Sequence, residues 1–436
     1  MSAPELGCVT LEPGRLQGRV SAPPSKSAAH RAILCAALAA LTSPGEGESI
    51  LSPLDLSDDI RATLGAVRAL GVRAALENGV CTVSAGEREP GTVSLDCGES
   101  GSTLRFLIPI AAALGVSAVF TGHGRLPSRP IGLYAELLPQ HGVSCRTQGG
   151  LPFAIEGRLT PGYFPVPGNV SSQFITGLLL ALPLLAGDSE IILTTPLESA
   201  AYVEMTVQAM TDFGVTVERT KGGWRVPGGQ RYRPRRHTVE GDWSQAAFFL
   251  AAGALGGDVT VTGLRPDSLQ GDKAIAALLA QGGARLSWED GALRCTAGSW
   301  RGVEIDAAQI PDLVPILAAA FSLAQGTTVI SHAERLRIKE SDRLAAMAQG
   351  LSALGAHVRE TADGLILKGV ETLSGGRAEG ANDHRVVMAL SVAALRAEGP
   401  CTVTDAGSIR KSYPGFFNDY QALGGFAHGS FIRLGE

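Results

Sequence analysis

Residues 59–76 read DIRATLGAVRALGVRAAL, and this phrase decides the fold because the chain uses it six times. Apolar positions recur three and four apart as far as Leu70, Gly71 interrupts them, and a short alternating run follows. That order predicts a half-exposed helix, its stop and a strand. The phrase returns as IGLYAELLPQHGVSCRT at 131–147, EMTVQAMTDFGVTVERT at 204–220, DKAIAALLAQGGARLSW at 272–288, DRLAAMAQGLSALGAHVRE at 342–360 and GFFNDYQALGGFAH at 415–428. The stop glycines, Gly71, Gly142, Gly214, Gly283, Gly355 and Gly424, are separated by 71, 72, 69, 72 and 69 residues. A fixed period marks a repeat architecture, and a glycine just past each helix predicts a left-handed C-terminal cap.

A second phrase keeps the same period: KSAAHRAILCAALAAL, GSTLRFLIPIAAALG, SSQFITGLLLALPLLAG, SQAAFFLAAGALGG, PDLVPILAAAFSLAQG and DHRVVMALSVAALRAEG. Each is apolar on nearly every face, so each predicts a buried helix. Their openings are Ser27, Ser102, Ser172, Ser244, Asp312 and His384. Short alternating runs such as ALENGVCTVS, GGWRVPG, DGALRCTAG and DGLILKGV carry NG, GG or DG turns and predict antiparallel or mixed strand pairing. The fold class is therefore α/β or α+β, built by repetition. The Gly-, Pro- and Arg-rich stretch from Lys221 to Gly241 leaves three repeats on either side and is read as the domain boundary.

A length of 436 residues suggests two or three domains, and 45% apolar against 18% charged residues excludes a chain that is mainly disordered. A net charge of -5, with aromatics at 5%, argues against a nucleic-acid surface. No CxxC pair occurs among the seven cysteines, which are read as buried small apolar residues in a reducing compartment. Neither a basic leader nor a long apolar run is present, so a soluble cytoplasmic protein is expected. No phosphate loop, GxGxxG fingerprint, HExxH helix, GxSxG elbow or metal-spaced Cys/His group occurs. Metal-free acid/base chemistry is the expectation that remains.

The cations point to its substrate. Six lysines stand against 31 arginines, and three of the six, Lys26, Lys339 and Lys411, fall in PPSKSAAHR, RIKESDR and IRKSYP. Arg31, Arg105, Arg129, Arg343 and Arg385 lie in the same motif segments, and guanidinium forks suit carboxylates and phosphates. Helix starts add unpaired N–H groups and the positive end of the dipole. Asp312, Glu340 and Asp383 lie among these cations, where a carboxylate can serve as a helix-start anion or carry protons.

Taken in order from about residue 20 to residue 420, PPSKSAAHR, CGESGSTLRFLIP, GRLPSRPI, GNVSSQF, ESAAYVEMT, EGDWSQAAFFLAAGAL, IPDLVPILA, LRIKESDRL and NDHRVVMAL resemble the EPSP synthase family of enolpyruvyl transferases. The resemblance implies two inside-out αβ barrel-like domains of three repeats each, with buried parallel helices and an active site in the cleft between them. The domains would be 21–240, and 1–20 with 241–436. It implies transfer of the enolpyruvyl group of phosphoenolpyruvate to the 5-hydroxyl of shikimate 3-phosphate, with release of phosphate, in the shikimate route to chorismate and aromatic amino acids. No cofactor, metal, nucleic acid or membrane is implied, and the chain is expected to act as a monomer.

By the same resemblance Lys26, Gly101, Arg129 and Gln173 hold the phosphate of phosphoenolpyruvate, and Arg343, Arg385 and Lys411 hold its carboxylate. Ser27, Arg31, Ser171, Ser172, Gln173, Ser199, Tyr202, Asp312 and Lys339 meet shikimate 3-phosphate. Asp312 and Glu340 are the catalytic base and acid, with Lys26 as a further catalytic group. Three positions depart from the family's phrases: Glu99 and Arg335 stand where Asn is common, and Phe106 where Pro is common. An acid at 99 would repel an anion unless protonated or turned away. Two rivals are weighed. UDP-N-acetylglucosamine enolpyruvyl transferase carries a reactive Cys in the loop corresponding to 122–131, which has none here. A non-catalytic anion-binding module would need the cations but neither Asp312 nor Glu340.

Overall fold

All six stop glycines have left-handed backbones, with φ of 94° at Gly71, 83° at Gly142, 85° at Gly214, 103° at Gly283, 100° at Gly355 and 91° at Gly424. The next residue then turns back to close the helix. Val215, Ala284, Ala356 and Gly425 donate their N–H groups to the carbonyls of Met210, Leu279, Leu351 and Tyr420, five residues earlier. A side chain at the glycine would strain that turn, which is why the period shows so clearly in the sequence.

The computed structural model describes residues 7–429. Its α-helices are α1 Lys26–Thr42, α2 Asp58–Ala69, α3 Gly101–Ala113, α4 Gly132–Leu137, α5 Ser172–Ala181, α6 Ala200–Asp212, α7 Trp243–Ala254, α8 Ala274–Gln281, α9 Val314–Phe321, α10 Arg343–Ala353, α11 His384–Ala393 and α12 Phe416–Ala422. The odd-numbered helices are the all-apolar ones. Every residue of α7, α9 and α11 is buried. Each large apolar side chain so buried contributes about 1.5 to 3 kcal/mol.

The chain divides into two compact units, one running from Pro24 to Glu240 and the other combining the residues up to Pro23 with those from Gly241. Each has its own apolar core. Each also holds three four-stranded sheets, all built to one plan: a parallel first pair and two antiparallel pairings. No closed barrel forms among the described residues; the sheets remain separate. The segment ahead of α1 belongs with the second unit. Cys8–Leu11 pairs antiparallel with Cys401–Thr404 and Ala427–Gly429, and Gln17–Ser21 pairs parallel with Asp258–Thr262.

One sequence expectation gains detail and another needs correction. The stretch 221–241, read as the domain boundary, also supplies two strands, the first of them within the expected GGWRVPG run. Gly223–Val226 pairs with Ser189–Ile192, and Arg236–Thr238 adds a parallel edge to Ile50–Ser52. Trp224 and Val226 are buried and anchor the first of these strands. Among the cysteines, Cys8 and Cys145 are only half-buried. Cys8 shares its strand's partly open face with Thr10, and Cys145 lies on an edge strand. Among the described residues no helix is long and apolar enough to cross a membrane, and no group of three or more His, Cys, Asp or Glu is placed to hold a metal.

Helices α3 and α5 run side by side in the same direction. Pro109 inside α3 has no N–H to give the Arg105 carbonyl four residues back. Tyr134 Oη stands in for it, 2.8 Å from Arg105 O and 3.1 Å from Phe174 O. A Cβ at Gly177 of α5 would lie 2.3 Å from that Arg105 oxygen, so the close approach requires glycine. These contacts put the starts of α3 and α5 at one level.

Candidate active site

In the Pro24–Glu240 unit the site begins with helix caps. Ser25, Ser100 and Ser171 cap α1, α3 and α5 by accepting the N–H groups of Ala28, Thr103 and Gln173. Cap exchange leaves other first-turn N–H groups available to an anion. Lys26 follows Ser25, and its ammonium donates to Asp59 Oδ2 at 2.7 Å. Arg31 is buried. Its nitrogens donate to Thr206 Oγ1 at 2.9 Å, the Ser27 carbonyl at 2.7 Å and the Tyr202 carbonyl at 2.8 Å. Phe106 and Tyr202 lie under the guanidinium at 5.5 and 5.9 Å.

Gly101 opens α3, and a Cβ there would lie 2.7 Å from an Arg129 guanidinium nitrogen. Only glycine lets Arg129 rest against this helix start. Gln173 of α5 accepts from Arg105 Nη1 at 2.7 Å and donates to Ser102 Oγ at 3.0 Å. Arg105 Nη2 also donates to the Pro130 carbonyl at 2.8 Å. Ser172 is buried beside Gln173, and Ser199 stands at the cap position of α6 with a left-handed φ of 54°.

The second unit gathers its charges around Asp312. Pro315 has no N–H for the Pro311 carbonyl, so residues Pro311–Leu313 close a 3-10 turn through Val314 N–H before α9 begins. Asp312 in that turn accepts from Arg343 Nη1 at 3.0 Å and Arg385 Nη2 at 3.2 Å, with Lys339 Nζ at 3.9 Å. Arg343 is 1% exposed. It also donates to Glu340 Oε2 at 2.7 Å and Asp383 Oδ2 at 2.8 Å. Asp383, fully buried, caps α11 and accepts from Ser341 Oγ as well. Lys411 donates to the Asn382 carbonyl at 2.7 Å and to Asn382 Oδ1 at 3.0 Å.

Burial alone would push Asp312 up, but Arg385, Lys339 and Arg343 outweigh it and hold the carboxyl well below the ordinary carboxylate range. It is ionised and, so held, weakly basic. Desolvation works against the charge on Arg343 too, yet Asp383, Glu340 and Asp312 keep it firmly protonated. Asp272 goes the other way. It is buried at the foot of α7, and burial together with the negative charge of Asp312 raises it to about 7.

Asp312, Lys339, Glu340, Arg343 and Arg385 thus form one cluster, with Lys411 joined through Asn382 and Asp383. In the other unit one set joins Ser27, Arg31 and Tyr202, a second joins Gly101 and Arg129, and a third joins Gln173, Ser102 and Arg105. Ser171 joins the third set by accepting the Gln173 N–H at 3.3 Å, and Ser172 follows it as the first residue of α5. The helix openings shift: Ser27, Ser102, Ser244 and His384 lie one or two residues inside, behind caps Ser25, Ser100, Asp242 and Asp383. Asp312 lies in the turn ahead of α9. Periodicity places a helix start only to within a turn, whereas the cap depends on local backbone. Asp59, Asp272 and Asn382 open quoted phrases, but nothing in those phrases gives them a role, because only packing brings them to their partners. Glu99 turns toward the 122–125 loop, lying over Gly124 with Oε1 3.6 Å from His123 Nδ1. Phe106 packs beneath Arg31, and Arg335 donates to the Ala308 carbonyl at 2.8 Å.

The family model for EPSP synthase (3-phosphoshikimate 1-carboxyvinyltransferase) matches residues 11–420. The chain belongs to the EPSP synthase family. Among the family's members, the 3-phosphoshikimate 1-carboxyvinyltransferase of Clostridium kluyveri is 43% identical over 96% of this chain and 97% of its own length. That of Clostridium acetobutylicum is also 43% identical, over 97% of this chain and 99% of its own. Among solved structures, the EPSP synthase of Acinetobacter baumannii superposes with a TM-score of 0.82 at 28% identity, covering 97% of this chain and 100% of that one. The enolpyruvyl transferase NikO of Streptomyces tendae shares the fold, with a TM-score of 0.77 at 19% identity. Family membership makes this chain an enzyme.

Proposed function

We infer that the chain transfers the enolpyruvyl group of phosphoenolpyruvate to the 5-hydroxyl of shikimate 3-phosphate and releases phosphate. The observation that carries this reading is near-full-length identity with relatives named for that activity, in a chain that keeps Asp312 and Glu340 among its cations. Lys26, Gly101, Arg129 and Gln173 are assigned to the phosphate of phosphoenolpyruvate. Its carboxylate falls to Arg343, Arg385 and Lys411. Shikimate 3-phosphate is assigned to Ser27, Arg31, Ser171, Ser172, Gln173, Ser199, Tyr202, Asp312 and Lys339.

The chemistry follows from the charges. An alcohol is a poor nucleophile and an enol carbon accepts a proton slowly, so addition needs a base on the 5-hydroxyl and an acid at the methylene carbon. Asp312 and Glu340 take these roles. Both carboxylates bond Arg343, and Asp312 bonds Arg385 as well. A substrate carboxylate that draws the two guanidiniums to itself returns basicity to Asp312 and lets Glu340 hold a proton. The tetrahedral adduct then loses a proton from its new methyl group and expels phosphate toward Lys26 and Arg129, restoring the double bond. Measuring phosphate release tests the reading. Release should require both substrates, and a chain that binds both without releasing phosphate would be a binding module instead.

A further inference from the structure

A buried imidazole lies among these residues, and none of the roles above uses it. His30 follows Lys26 by one turn of α1 and is 1% exposed. Its Nδ1 is 2.8 Å from Thr63 Oγ1 on α2, which is 2.7 Å from Thr103 Oγ1 on α3. Thr103 Oγ1 in turn donates to Ser100 Oγ at 2.8 Å. Ser100 is the cap of α3, immediately before Gly101. The chain crosses three helices, and none of its four residues is more than 1% exposed.

Its proton direction can be read from the cap. Thr103 spends its only hydroxyl proton on Ser100, so the 2.7 Å contact between the two threonines is a hydrogen bond only if Thr63 donates. Thr63 could instead donate to the Asp59 carbonyl at 3.2 Å, but two hydroxyl oxygens at 2.7 Å without a proton between them would repel. Thr63 therefore receives its 2.8 Å bond from His30, which places a proton on Nδ1. The other ring nitrogen, Nε2, is buried and has no hydrogen-bond partner among the described residues. A proton there would sit unpaired near two cations. Burial, Lys26 and Arg31 all act to keep His30 neutral, well below the ordinary histidine range.

We propose that His30 is a positioning residue for the anion site: a neutral imidazole, protonated at Nδ1, that heads a one-way hydroxyl chain and holds the starts of α1 and α3 in register. This deepens the functional reading above, since it rests on Lys26 and Gly101 serving one phosphate. Removing the middle link frees Lys26 from that register without touching any group assigned to the substrates.

Long-range ¹H–¹⁵N spectra of the intact chain test the proton directly, with His30 assigned by the signals lost in His30→Asn. The expected pattern at neutral pH is a protonated Nδ1 and a bare Nε2. An imidazolium, or a proton on Nε2, overturns the proposal. Thr63→Val keeps the shape of the side chain and breaks the chain, whereas Thr63→Ser keeps the hydroxyl. The valine variant should lose about tenfold in kcat/KM for phosphoenolpyruvate, chiefly through KM, and the serine variant should return to within about twofold of the parent. Equal activity in the two variants overturns the positioning role. Lys26→Met separates this from the underlying reading: undiminished phosphoenolpyruvate binding there refutes the site assignment, while the tautomer of His30 is measured independently.

Discussion

Asp272 and Asp312 carry the same functional group under opposite forces, and the contrast predicts how stability responds to pH. For Asp312 the surrounding cations win, so its contribution is complete at neutral pH and is lost only as pH falls below the ordinary carboxylate range. For Asp272 burial and the charge of Asp312 win, and the folded-state value of about 7 lies above that of the unfolded chain. Between about pH 4 and 7 the folded protein then binds more protons than the unfolded one, so stability falls as pH rises. Asp272→Asn should remove this slope and be the more stable protein at pH 8, by a few kcal/mol and roughly 4 at most. Urea midpoints at pH 4.5 and 8 measure it, and an unchanged slope would assign the titration elsewhere. Lys411 gives a second prediction at this scale. Lys411→Met should weaken phosphoenolpyruvate about tenfold or more, as expected for the loss of a charge-assisted bond, and shikimate 3-phosphate less. Titration calorimetry decides it, and equal losses would place Lys411 outside the carboxylate site. The types of these residues were legible, since scarce lysines in motif segments stand out. Their partners were not: Asp59 lies 33 positions from Lys26 and Asn382 lies 29 from Lys411, and only the packed fold joins them.

At the level of elements, the legible features were those whose physics is local. A left-handed turn needs glycine, and an all-apolar helix needs burial, so both phrases could be counted without coordinates. The cap positions and the strand at Arg236–Thr238 were hidden, because a three-residue edge strand with exposed ends carries no pattern of its own. Nor does any short-range signal link Tyr134 to the gap left by Pro109. That link yields a prediction. Tyr134→Phe removes the hydroxyl that serves the Arg105 and Phe174 carbonyls in a site with no exposure. Losing this buried hydrogen bond should cost about 1 to 3 kcal/mol. Thermal unfolding measures the loss. Because Arg105 holds Gln173, phosphoenolpyruvate binding should weaken as well. A variant as stable as the parent would show that another donor reaches that carbonyl.

For the molecule as a whole, the period gives six repeats, three to a unit, whereas the separation of their strands into distinct four-stranded sheets is seen only in the packed fold. The return of residues 8–21 to the second unit came only from family resemblance, since strands so far apart in sequence share no local signal. The function rests on chemistry in which a proton adds to the methylene carbon of phosphoenolpyruvate and is later lost again. Incubating the chain with both substrates in deuterated water tests this most directly. Deuterium should enter the methylene group of phosphoenolpyruvate and of the product only when shikimate 3-phosphate is present. Glu340→Gln should still bind both substrates while losing label exchange and turnover by roughly 10² to 10⁴. Phosphate released without any label in the methylene group would contradict addition and elimination, and label exchanged at the parent rate by Glu340→Gln would contradict Glu340 as the acid.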